Sequence, residues 1–320
     1  MKKCFVGFDT SNYTTSVAVC DEDGCVLANL KRPLPVAEGQ RGLRQSDAVF
    51  AHIKNIPELT VELAECLHSY EPIAVGVSSK PRDAEGSYMP CFLSGVAAAN
   101  AFAAARGLPL YEFSHQSGHI AAALYSANKL DLLETEQFAA FHVSGGTTEV
   151  LLVSTKNGKL SEELVAYTAD INAGQAIDRV GVAMGLKFPC GAELEKLAAE
   201  YSGKIKKHNI CVKDGVCNLS GAENIAVKIY NDTGDKRAAA AFLFDFIGRT
   251  LVAMRDSLIE RFGNMPIIYA GGVMSNRIMR DMLAADCEAY FSEPQFSADN
   301  AAGIATLCRL EFLKSGKNFK

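Results

Sequence analysis

The sequence predicts an α/β fold built from two similar lobes with a central cleft between them. Residues 5–9 and 15–19 have the pattern of half-buried strands joined by a hydroxyl-rich tip at residues 10–14. The same plan returns about 135 residues later, where strands at 138–143 and 149–153 flank a tip of sequence Ser-Gly-Gly-Thr-Thr. A chain of 320 residues is long enough for two domains. Duplication of one lobe is therefore the simplest interpretation.

Strands and helices alternate after each tip, as they do in α/β lobes. In the first half, a third strand precedes an amphipathic helix, which we expect Pro57 to open, and a buried strand follows it. We assign residues 1–135 and 297–320 to the first lobe and residues 136–296 to the second. The remaining predicted bounds are strands at 26–30, 73–77, 164–168 and 266–270, helices at about 174–186, 242–258 and 301–313, and an irregular polar stretch at 201–237.

Composition excludes several classes of protein. Hydrophobic residues make up 48% of the chain and charged residues 22%, which allows a substantial core and argues against a disordered tail. A net charge of −5 argues against a nucleic-acid binder that is basic overall. Apolar stretches fall short of the roughly 20 residues of a membrane span, and the N-terminus does not have the pattern of a signal peptide. We therefore expect a cytoplasmic protein that does not bind a membrane.

Three loops have the chemistry of an anion site. Glycine lets backbone N–H groups approach a phosphate closely, and hydroxyl groups add hydrogen bonds. The tip at 144–148 has this composition, although an ordinary hairpin turn is an equal alternative for that loop alone. The loop at 270–276 follows a buried strand and precedes a helix expected near Asn276, where open α/β sheets bind ligands. With the first tip, these loops favour a nucleotide, although the P-loop and Gly-x-Gly-x-x-Gly motifs do not occur.

Two histidines have the spacing of metal ligands. His115 and His119 lead into an apolar run that predicts a helix, and a separation of four residues stacks both imidazoles on one helical face. The alternative is one capping and one surface histidine. A zinc peptidase of the His-Glu-x-x-His type would need a carboxylate directly after the first histidine, where this chain has Gln116. Because an amide cannot act as a base, we expect any metal here to orient a ligand and not to cleave peptides.

Asp299 is the candidate oxygen ligand for the same metal. It lies at the predicted start of the final helix, and a metal held by two imidazoles commonly takes a carboxylate as well. An aspartate in that position can equally be a helix N-cap that accepts hydrogen bonds from free N–H groups. Both interpretations stay open at the level of spacing.

Seven short motifs occur in order along the chain and are dense from Phe113 onward. They are His-Gln-Ser-Gly-His at 115–119, Val-Ser-Gly-Gly-Thr-Thr-Glu at 143–149, Ala-Gly-Gln-Ala-Ile-Asp at 173–178, Pro-Cys-Gly at 189–191, Asn-Leu-Ser-Gly at 218–221, Ala-Gly-Gly-Val-Met-Ser-Asn-Arg at 270–277 and Asp-Asn-Ala-Ala at 299–302. Each motif is weak alone. Together they resemble the TsaD family, also called Gcp or Kae, formerly described as O-sialoglycoprotein endopeptidases. That resemblance implies the actin-like ATPase fold, a duplicated RNase H-like unit.

The resemblance also implies an activity. Members of this family move a threonylcarbamoyl group from its adenylate to N6 of the adenosine beside the anticodon of tRNA. One iron(II) or zinc ion is then expected on His115, His119 and Asp299. His142 stands where archaeal relatives have a tyrosine near the metal, so it is either an added ligand or an imidazole in a strand interface.

The expected contacts to the adenine nucleotide come from the three loops and from the family motifs. The family motifs suggest the turn at 144–146 together with Asp178, Gly191 and Asn276, and the aspartate is suited to accept hydrogen bonds from ribose hydroxyls. The full set of expected nucleotide contacts is Thr10, Ser11, Val143, Ser144, Gly145, Gly146, Thr147, Asp178, Gly191, Gly271, Gly272 and Asn276.

The chain departs from the family in its first lobe. The first tip lacks two carboxylates of the family pattern, residues 78–86 replace a Gly-Pro-Gly-Leu loop, and Gln175 replaces a usual glutamate. Partners similar to TsaB and TsaE are implied by the resemblance. Three alternatives follow: a diverged paralogue that carbamoylates another acceptor, an actin-like kinase with Asp9 as base, and a nucleotide-binding partner protein like TsaB, which lacks the histidine pair.

Overall fold

Each half of the chain is built on its own β-sheet. The computed structural model describes residues 1–35, 43–156, 159–285 and 287–316. They divide into a first unit, Met1–Leu130 with Gln295–Lys320, and a second unit, Asp131–Pro294. Helices pack on both sheets, so the predicted α/β class is confirmed.

The sheet of the first unit has five strands in the order β3-β2-β1-β4-β5. β1, β2 and β3 form an antiparallel meander, whereas β4 and β5 run parallel to β1. The carboxyl ends of β1, β4 and β5 therefore meet at one edge of the sheet. The elements up to this point are β1 (Lys2–Thr10), β2 (Thr14–Asp21), β3 (Val26–Pro33), α1 (Gln45–Cys66), β4 (Tyr70–Lys80), α2 (Phe92–Arg106), β5 (Leu110–Ser114) and α3 (His115–Ser126).

The prediction that Pro57 opens a helix is wrong, because α1 begins twelve residues earlier at Gln45 and Pro57 lies inside it. A proline in a helix interior removes one backbone hydrogen bond and costs about 3 kcal/mol. Apolar side chains on both sides of it are buried, Ala48 and Ala51 before it and Leu59 after it. Packing of this face against the unit therefore outweighs the local cost.

The second unit repeats the plan of the first and extends it. Its sheet has the order β12-β11-β6-β7-β8-β10-β9, in which β8-β7-β6-β11-β12 matches the first sheet strand for strand. The directions match as well, with an antiparallel β6–β7–β8 meander and β11 parallel to β6. The elements are β6 (Gln137–Val143), β7 (Thr148–Lys156), β8 (Lys159–Thr168), α4 (Ala173–Ala183), α5 (Gly191–Ala199), β9 (Val212–Lys213), β10 (Val216–Cys217), α6 (Ser220–Thr233), α7 (Lys236–Phe262), β11 (Ile267–Ala270), α8 (Arg277–Leu283) and β12 (Ala289–Phe291).

The stretch at 201–237 is more regular than predicted. It contains the short β9–β10 hairpin and the fourteen-residue helix α6. The start of α6 is held by a distant carboxylate, since Asp170 accepts hydrogen bonds from the N–H groups of Leu219 and Ser220 at 2.8 and 3.0 Å. A capping group fifty residues away from the helix is not visible as a local sequence pattern, which explains the wrong prediction.

The chain returns to the first unit through α9 (Pro294–Ser297) and α10 (Ala302–Lys314). α10 lies directly on the sheet because two strand glycines leave room for its backbone. A Cβ on Gly7 would lie 2.5 Å from the nitrogen of Ala305, and one on Gly76 would lie 3.0 Å from the carbonyl oxygen of Ile304. Across the described residues, every helix is too short or too polar to cross a membrane.

Candidate functional site

The first turn of α3 carries both histidines of the candidate metal site. Ser114, the N-cap, accepts a hydrogen bond from the N–H of Ser117, so the helix begins at His115 as the sequence predicts. One helical turn brings His119 against His115, with ring centroids 4.4 Å apart. The helix therefore presents two imidazoles side by side at the edge where the parallel strands end.

Asp299 reaches the histidines because α10 packs against α3 at a glycine pair. Gly118 lies between the two histidines, and a Cβ on Gly303 would lie 1.8 Å from its carbonyl oxygen. Only glycine allows two helix backbones to approach this closely. Asp299, a few residues before α10, is thereby carried to the imidazoles. It is not the N-cap of α10, because Ala301 occupies that position and the side chain of Asn300 accepts the hydrogen bond from Ala302.

The three side chains have the spacing that one cation requires. Nε2 of His115 lies 3.0 Å from Nε2 of His119, and Oδ1 of Asp299 lies 3.6 and 3.2 Å from those two nitrogens. Two ligands with bonds of about 2.0–2.1 Å to a tetrahedral ion lie roughly 3.3 Å apart. Side-chain exposures of 16–24% leave the cluster accessible to a ligand. Two imidazoles and a carboxylate are a donor set suited to zinc or iron, so the residues fit a metal.

Electrostatics favour the charged forms of His115 and Asp299 in this cluster. Burial disfavours a charged His115, but the neighbouring Asp9 carboxylate and hydrogen bonds to Asp299 and Asp9 raise its pKa to about 10. Burial also acts to raise the pKa of Asp299, yet hydrogen bonds from His115 and His119 hold it well below the ordinary value. Without a cation, the proton on His115 balances the charge of Asp299, and a bound cation would replace that proton.

Two residues at the end of β1 contact these side chains. Oδ1 of Asp9 lies 2.9 Å from Nδ1 of His115 and accepts a hydrogen bond from Ser78. Ser11 donates a hydrogen bond of 3.0 Å to Oδ2 of Asp299. Sequence reasoning gave Asp9 no role at the metal site, although its place at the end of a central strand, beside two parallel strands, was an available signal.

Thr10, which the sequence places among the nucleotide contacts, is 1% exposed. Its hydroxyl donates to the carbonyl of Cys91 at 3.1 Å and accepts from the N–H of Gly95 at 3.0 Å. The threonine thus ties β1 to the start of α2. Ser11 is also buried, at 3% exposed.

The loop after β4 is attached to the helix that carries the histidines. Asp83 pairs with Lys80 at 2.7 Å and accepts a hydrogen bond from Ser117 at 3.1 Å. The N–H of Gln116 also donates to the carbonyl of Pro81 at 3.0 Å. The segment that replaces the glycine-rich loop of the family therefore lies next to the candidate metal ligands.

In the second unit, the β6–β7 tip is an open turn built around Ser144. Its hydroxyl accepts hydrogen bonds from the N–H groups of Gly146 and Thr147 at 3.2 and 3.1 Å. A Cβ added at Gly145 or Gly146 would meet nothing within 4 Å. The tip therefore leaves space beside its backbone, as an anion site requires.

Close backbone contacts bring two other segments to this tip, the start of α4 and the loop after β11. A Cβ on Gly174, at the start of α4, would lie 2.6 Å from the nitrogen of Gly145. A Cβ on Gly271, where φ is +101°, would lie 2.2 Å from the carbonyl oxygen of Val143. α4 also contacts the turn at Gly272–Ser275. The two predicted glycine-rich loops and a helix N-terminus are thus neighbours in this unit.

The other predicted nucleotide contacts lie on the same elements. Asp178 follows Gly174 by one turn of α4 and accepts a hydrogen bond of 2.8 Å from the N–H of Cys190, next to Gly191. Asn276 caps α8 by accepting from Met279, and its buried Nδ2 has no hydrogen-bond partner within the part of the chain that the structure describes. A buried donor of this kind is available to a ligand.

His142 belongs to the second unit. It is half-buried in β6, where it pairs in register with Glu149 of β7 and Ala270 of β11. Its role as an added metal ligand stays a prediction.

Curated relatives match almost the whole chain. A tRNA N6-adenosine threonylcarbamoyltransferase of Streptococcus suis is 29% identical over 98% of this chain and 93% of its own length. The enzyme of the same name from Streptococcus pneumoniae is 28% identical over 94% and 90%.

Solved structures establish the fold. Component A of (R)-2-hydroxyglutaryl-CoA dehydratase from Acidaminococcus fermentans matches with a TM-score of 0.55 and 15% identity, over 98% of this chain and 99% of its own. A ROK family glucokinase from Streptomyces griseus matches with a TM-score of 0.53 and 13% identity, over 96% and 99%. The chain has the actin-like ATPase fold, as predicted.

A family model for TsaD, tRNA N6-adenosine threonylcarbamoyltransferase, matches residues 40–306. That range contains both glycine-rich loops of the second unit together with His115, His119 and Asp299. The chain is a member of the TsaD family.

Proposed function

We propose that this chain is a metal-dependent acyltransferase that moves the threonylcarbamoyl group of threonylcarbamoyl-AMP to N6 of the adenosine next to the anticodon of tRNA. A bond forms between N6 and the carbamoyl carbon, the bond to the AMP phosphate breaks, and AMP and a proton leave. The convergence of His115, His119 and Asp299 in a TsaD-family chain carries the proposal. An acceptor of this kind implies a cytoplasmic protein.

The proposed cofactor is one iron(II) or zinc ion per chain, held by the two imidazoles and the carboxylate. Their ligand atoms all lie within 4.8 Å of one another. When bound, the ion would polarise the carbamoyl carbonyl as a Lewis acid. The protein's own part is to hold the three donors on packed helices, so that their geometry does not have to form anew with each substrate.

The proposed adenylate site is the glycine-rich edge of the second unit. Open space at Gly145 and Gly146 supports it. So does Nδ2 of Asn276, which is buried and has no hydrogen-bond partner among the residues described. We propose that Asp178 contacts the ribose of the nucleotide and that Gly191 is a neighbouring contact. The remaining proposed contacts in this unit are Val143, Ser144, Thr147, Gly271 and Gly272. Thr10 and Ser11 belong to the first unit, where their hydroxyls are hydrogen-bonded within the protein, and their contact with a nucleotide stays a prediction.

A TsaB-like or TsaE-like protein is the proposed partner. α1 exposes three large apolar side chains on one helical face, Phe50, Ile53 and Val61, which are 56–65% exposed. A contact face of this kind supports a protein partner. Size-exclusion chromatography with the TsaB-like protein of the same organism tests it: the wild type should co-elute and Val61→Glu should not.

A second acceptor remains a candidate because of the loop after β4. Lys80 and Asp83 stand where the family has a glycine-rich loop, and Asp83 holds that segment against the histidine helix. A changed surface beside the metal ligands favours a changed acceptor. A diverged paralogue that carbamoylates another amine fits this observation.

Metal analysis tests the site. The purified wild type should contain about one iron or zinc per chain, and His115→Ala combined with His119→Ala should contain neither. His68→Ala is the matched control, since His68 is exposed and its ring contacts only the carbonyl of Glu65 among the described hydrogen bonds. Equal metal content in the double variant and the control would refute the ligand assignment.

Mass spectrometry of tRNA nucleosides tests the acceptor. A deletion strain should lose threonylcarbamoyladenosine, and the wild-type gene, but not the double histidine variant, should restore it. If the modification persists in the deletion strain while the purified chain still binds metal and AMP, the paralogue replaces the tRNA enzyme as the proposed function.

A further inference from the structure

The end of β1 places a buried carboxylate beside the candidate metal ligands. Asp9 is 0% exposed, and its Oδ1 lies 2.9 Å from Nδ1 of His115. Ser78 on β4 donates its hydroxyl hydrogen to the same oxygen. Ser78 lies on β4 and His115 on α3, so Asp9 contacts both elements from the end of β1.

A carboxylate in this position is costly for the fold. Burying a charged group costs several kcal/mol unless hydrogen bonds or an opposite charge compensate it. Oδ2 of Asp9 has no hydrogen-bond partner among the described residues. Pairing with His115 and Ser78 compensates the charge on one oxygen only, and a buried ion pair contributes little net stability. A function at His115 therefore explains this carboxylate better than stability does.

Two residues further on, the same strand end contacts another ligand. Ser11 is 3% exposed and donates a 3.0 Å hydrogen bond to Oδ2 of Asp299. The other oxygen, Oδ1, is the one that faces the imidazoles of His115 and His119. The hydroxyl therefore selects which oxygen is presented to a cation.

We propose that Asp9, Ser11 and Ser78 are positioning residues that orient two of the three metal ligands. Asp9 accepts the hydrogen on Nδ1 of His115 and so leaves the lone pair on Nε2, which faces His119 and Asp299. Ser78 holds Asp9, and Ser11 holds the Asp299 carboxylate. Partners of this kind fix the tautomer and the ring orientation of a ligating histidine. The inference rests on the proposed metal site but not on the transfer reaction.

Zinc affinity of the full-length protein tests the inference, measured by competition with a chelator at constant pH. Asp9→Asn should bind zinc about 10- to 100-fold more weakly, the usual effect of removing such a partner. The metal-free variant should unfold at a somewhat lower temperature than the wild type, because His115 loses the carboxylate that faces it, so the zinc affinity and not the stability is the deciding measurement. Unchanged zinc affinity would overturn the inference.

Ser78→Ala has a matched control on β2, which lies on the other side of β1. Ser16 is also buried, but its hydroxyl contacts the backbone carbonyl of Asp9 at 3.3 Å and not the carboxylate. Ser78→Ala and Ser11→Ala should each weaken zinc binding several-fold, and Ser16→Ala should not. Equal losses in all three variants would indicate general damage to the strand end and would count against positioning.

Nitrogen-15 NMR of the histidine rings gives a readout that stability alone would not change. In the zinc-loaded wild type, His115 should carry hydrogen on Nδ1 and metal on Nε2. In Asp9→Asn with zinc added, the amide can donate to Nδ1 and so favour hydrogen on Nε2. A fraction of the His115 rings should then carry hydrogen on Nε2 and have no metal there. An identical ring pattern in both proteins would refute the tautomer role.

The outcomes separate this inference from the proposed function. A wild type that binds neither zinc nor iron overturns the metal site and the inference with it. A wild type that binds zinc while Asp9→Asn binds equally overturns the inference alone. Absent tRNA modification with the expected zinc and NMR results overturns only the proposed reaction.

Discussion

In both units, a glycine packed on another glycine positions the candidate site, but the chemical groups that are brought together differ. In the first unit, Gly303 packs on Gly118, and in the second, Gly174 packs on Gly145. The first contact brings two imidazoles and a carboxylate together, those of His115, His119 and Asp299. The second brings backbone N–H groups and a hydroxyl to an open tip.

One scaffold thus carries two kinds of chemistry. The end of β1 is closed by buried, hydrogen-bonded side chains, and the equivalent end of β6 is left open by two glycines. Carboxylates and imidazoles suit a cation, whereas free space beside N–H groups suits an anion. In the proposed function, the tip residues and not the sheet would therefore determine which kind of ion each unit binds.

Gly303→Ala should have the largest effect. A methyl group 1.8 Å from the backbone of Gly118 has to push α10 away from α3, which we expect to cost about 3 kcal/mol, the upper end for overpacking. The zinc affinity should fall by about 100-fold, the equivalent of that strain. Gly221→Ala, at a helical glycine with nothing within 4 Å of a Cβ, is the control. Zinc binding unaffected by Gly303→Ala would break the comparison.

Gly174→Ala is the corresponding change in the second unit. Its Cβ would lie 2.6 Å from the nitrogen of Gly145 and should displace the tip. AMP affinity, measured by calorimetry, should fall by about tenfold or more, an overpacking cost of at least 1.4 kcal/mol. Zinc content should stay at the wild-type level. A variant that loses zinc but keeps AMP would reverse the assignment of the two ions.

Ser144→Ala removes one hydroxyl from the tip. The N–H groups of Gly146 and Thr147 lose their acceptor, so the turn should be less ordered before a ligand binds. At about 1 kcal/mol for the hydrogen bonds, AMP affinity should fall about fivefold. Ser202→Ala, at an exposed serine of the same unit, should leave it unchanged. A larger loss in the control would indicate that the affinity does not report on the tip.

Asp170→Asn should have the smallest effect, about 1 kcal/mol of unfolding free energy at neutral pH, as for the loss of a helix cap. Burial opposes the charged form, but hydrogen bonds from Ser220 and Leu219 lower the pKa of Asp170 to about 2. Its contribution is therefore fully present above the ordinary value of 3.8 and is lost as the pH falls through 2.

Urea unfolding at several pH values checks this dependence. The gap between wild type and Asp170→Asn should shrink as the pH approaches 2. Asp232→Asn, which breaks an exposed ion pair with Lys228, should show little loss at any pH. A gap that grows on acidification would contradict the capping role.

Features that depend on neighbours in sequence could be predicted, and those that depend on distant contacts could not. Alternation of apolar residues predicts both meanders, and the spacing of His115 and His119 predicts one shared helical face. In contrast, α6 is held by Asp170 from fifty residues away, and Pro57 is tolerated because of packing on both sides. Local patterns do not contain those partners.

The same limit applies to the site. Motif resemblance proposes Asp299 as a ligand, but spacing alone leaves it equal to a helix cap. Its approach to α3 depends on Gly118 and Gly303, two glycines 185 positions apart whose importance appears only in three dimensions. The kinase alternative made Asp9 a catalytic base. In the structure, its carboxylate is instead hydrogen-bonded to the His115 ring, a contact between distant residues that no local pattern indicates.

The late position of Asp299 in the chain has a consequence for biosynthesis. Both histidines are translated long before it, and the second unit is made in between. At the proposed metal site, the three donors would therefore be complete only after residue 299 has been synthesised and α10 has docked. Metal loading would then report that translation has passed residue 299, and a prematurely terminated product would leave its imidazoles without their carboxylate.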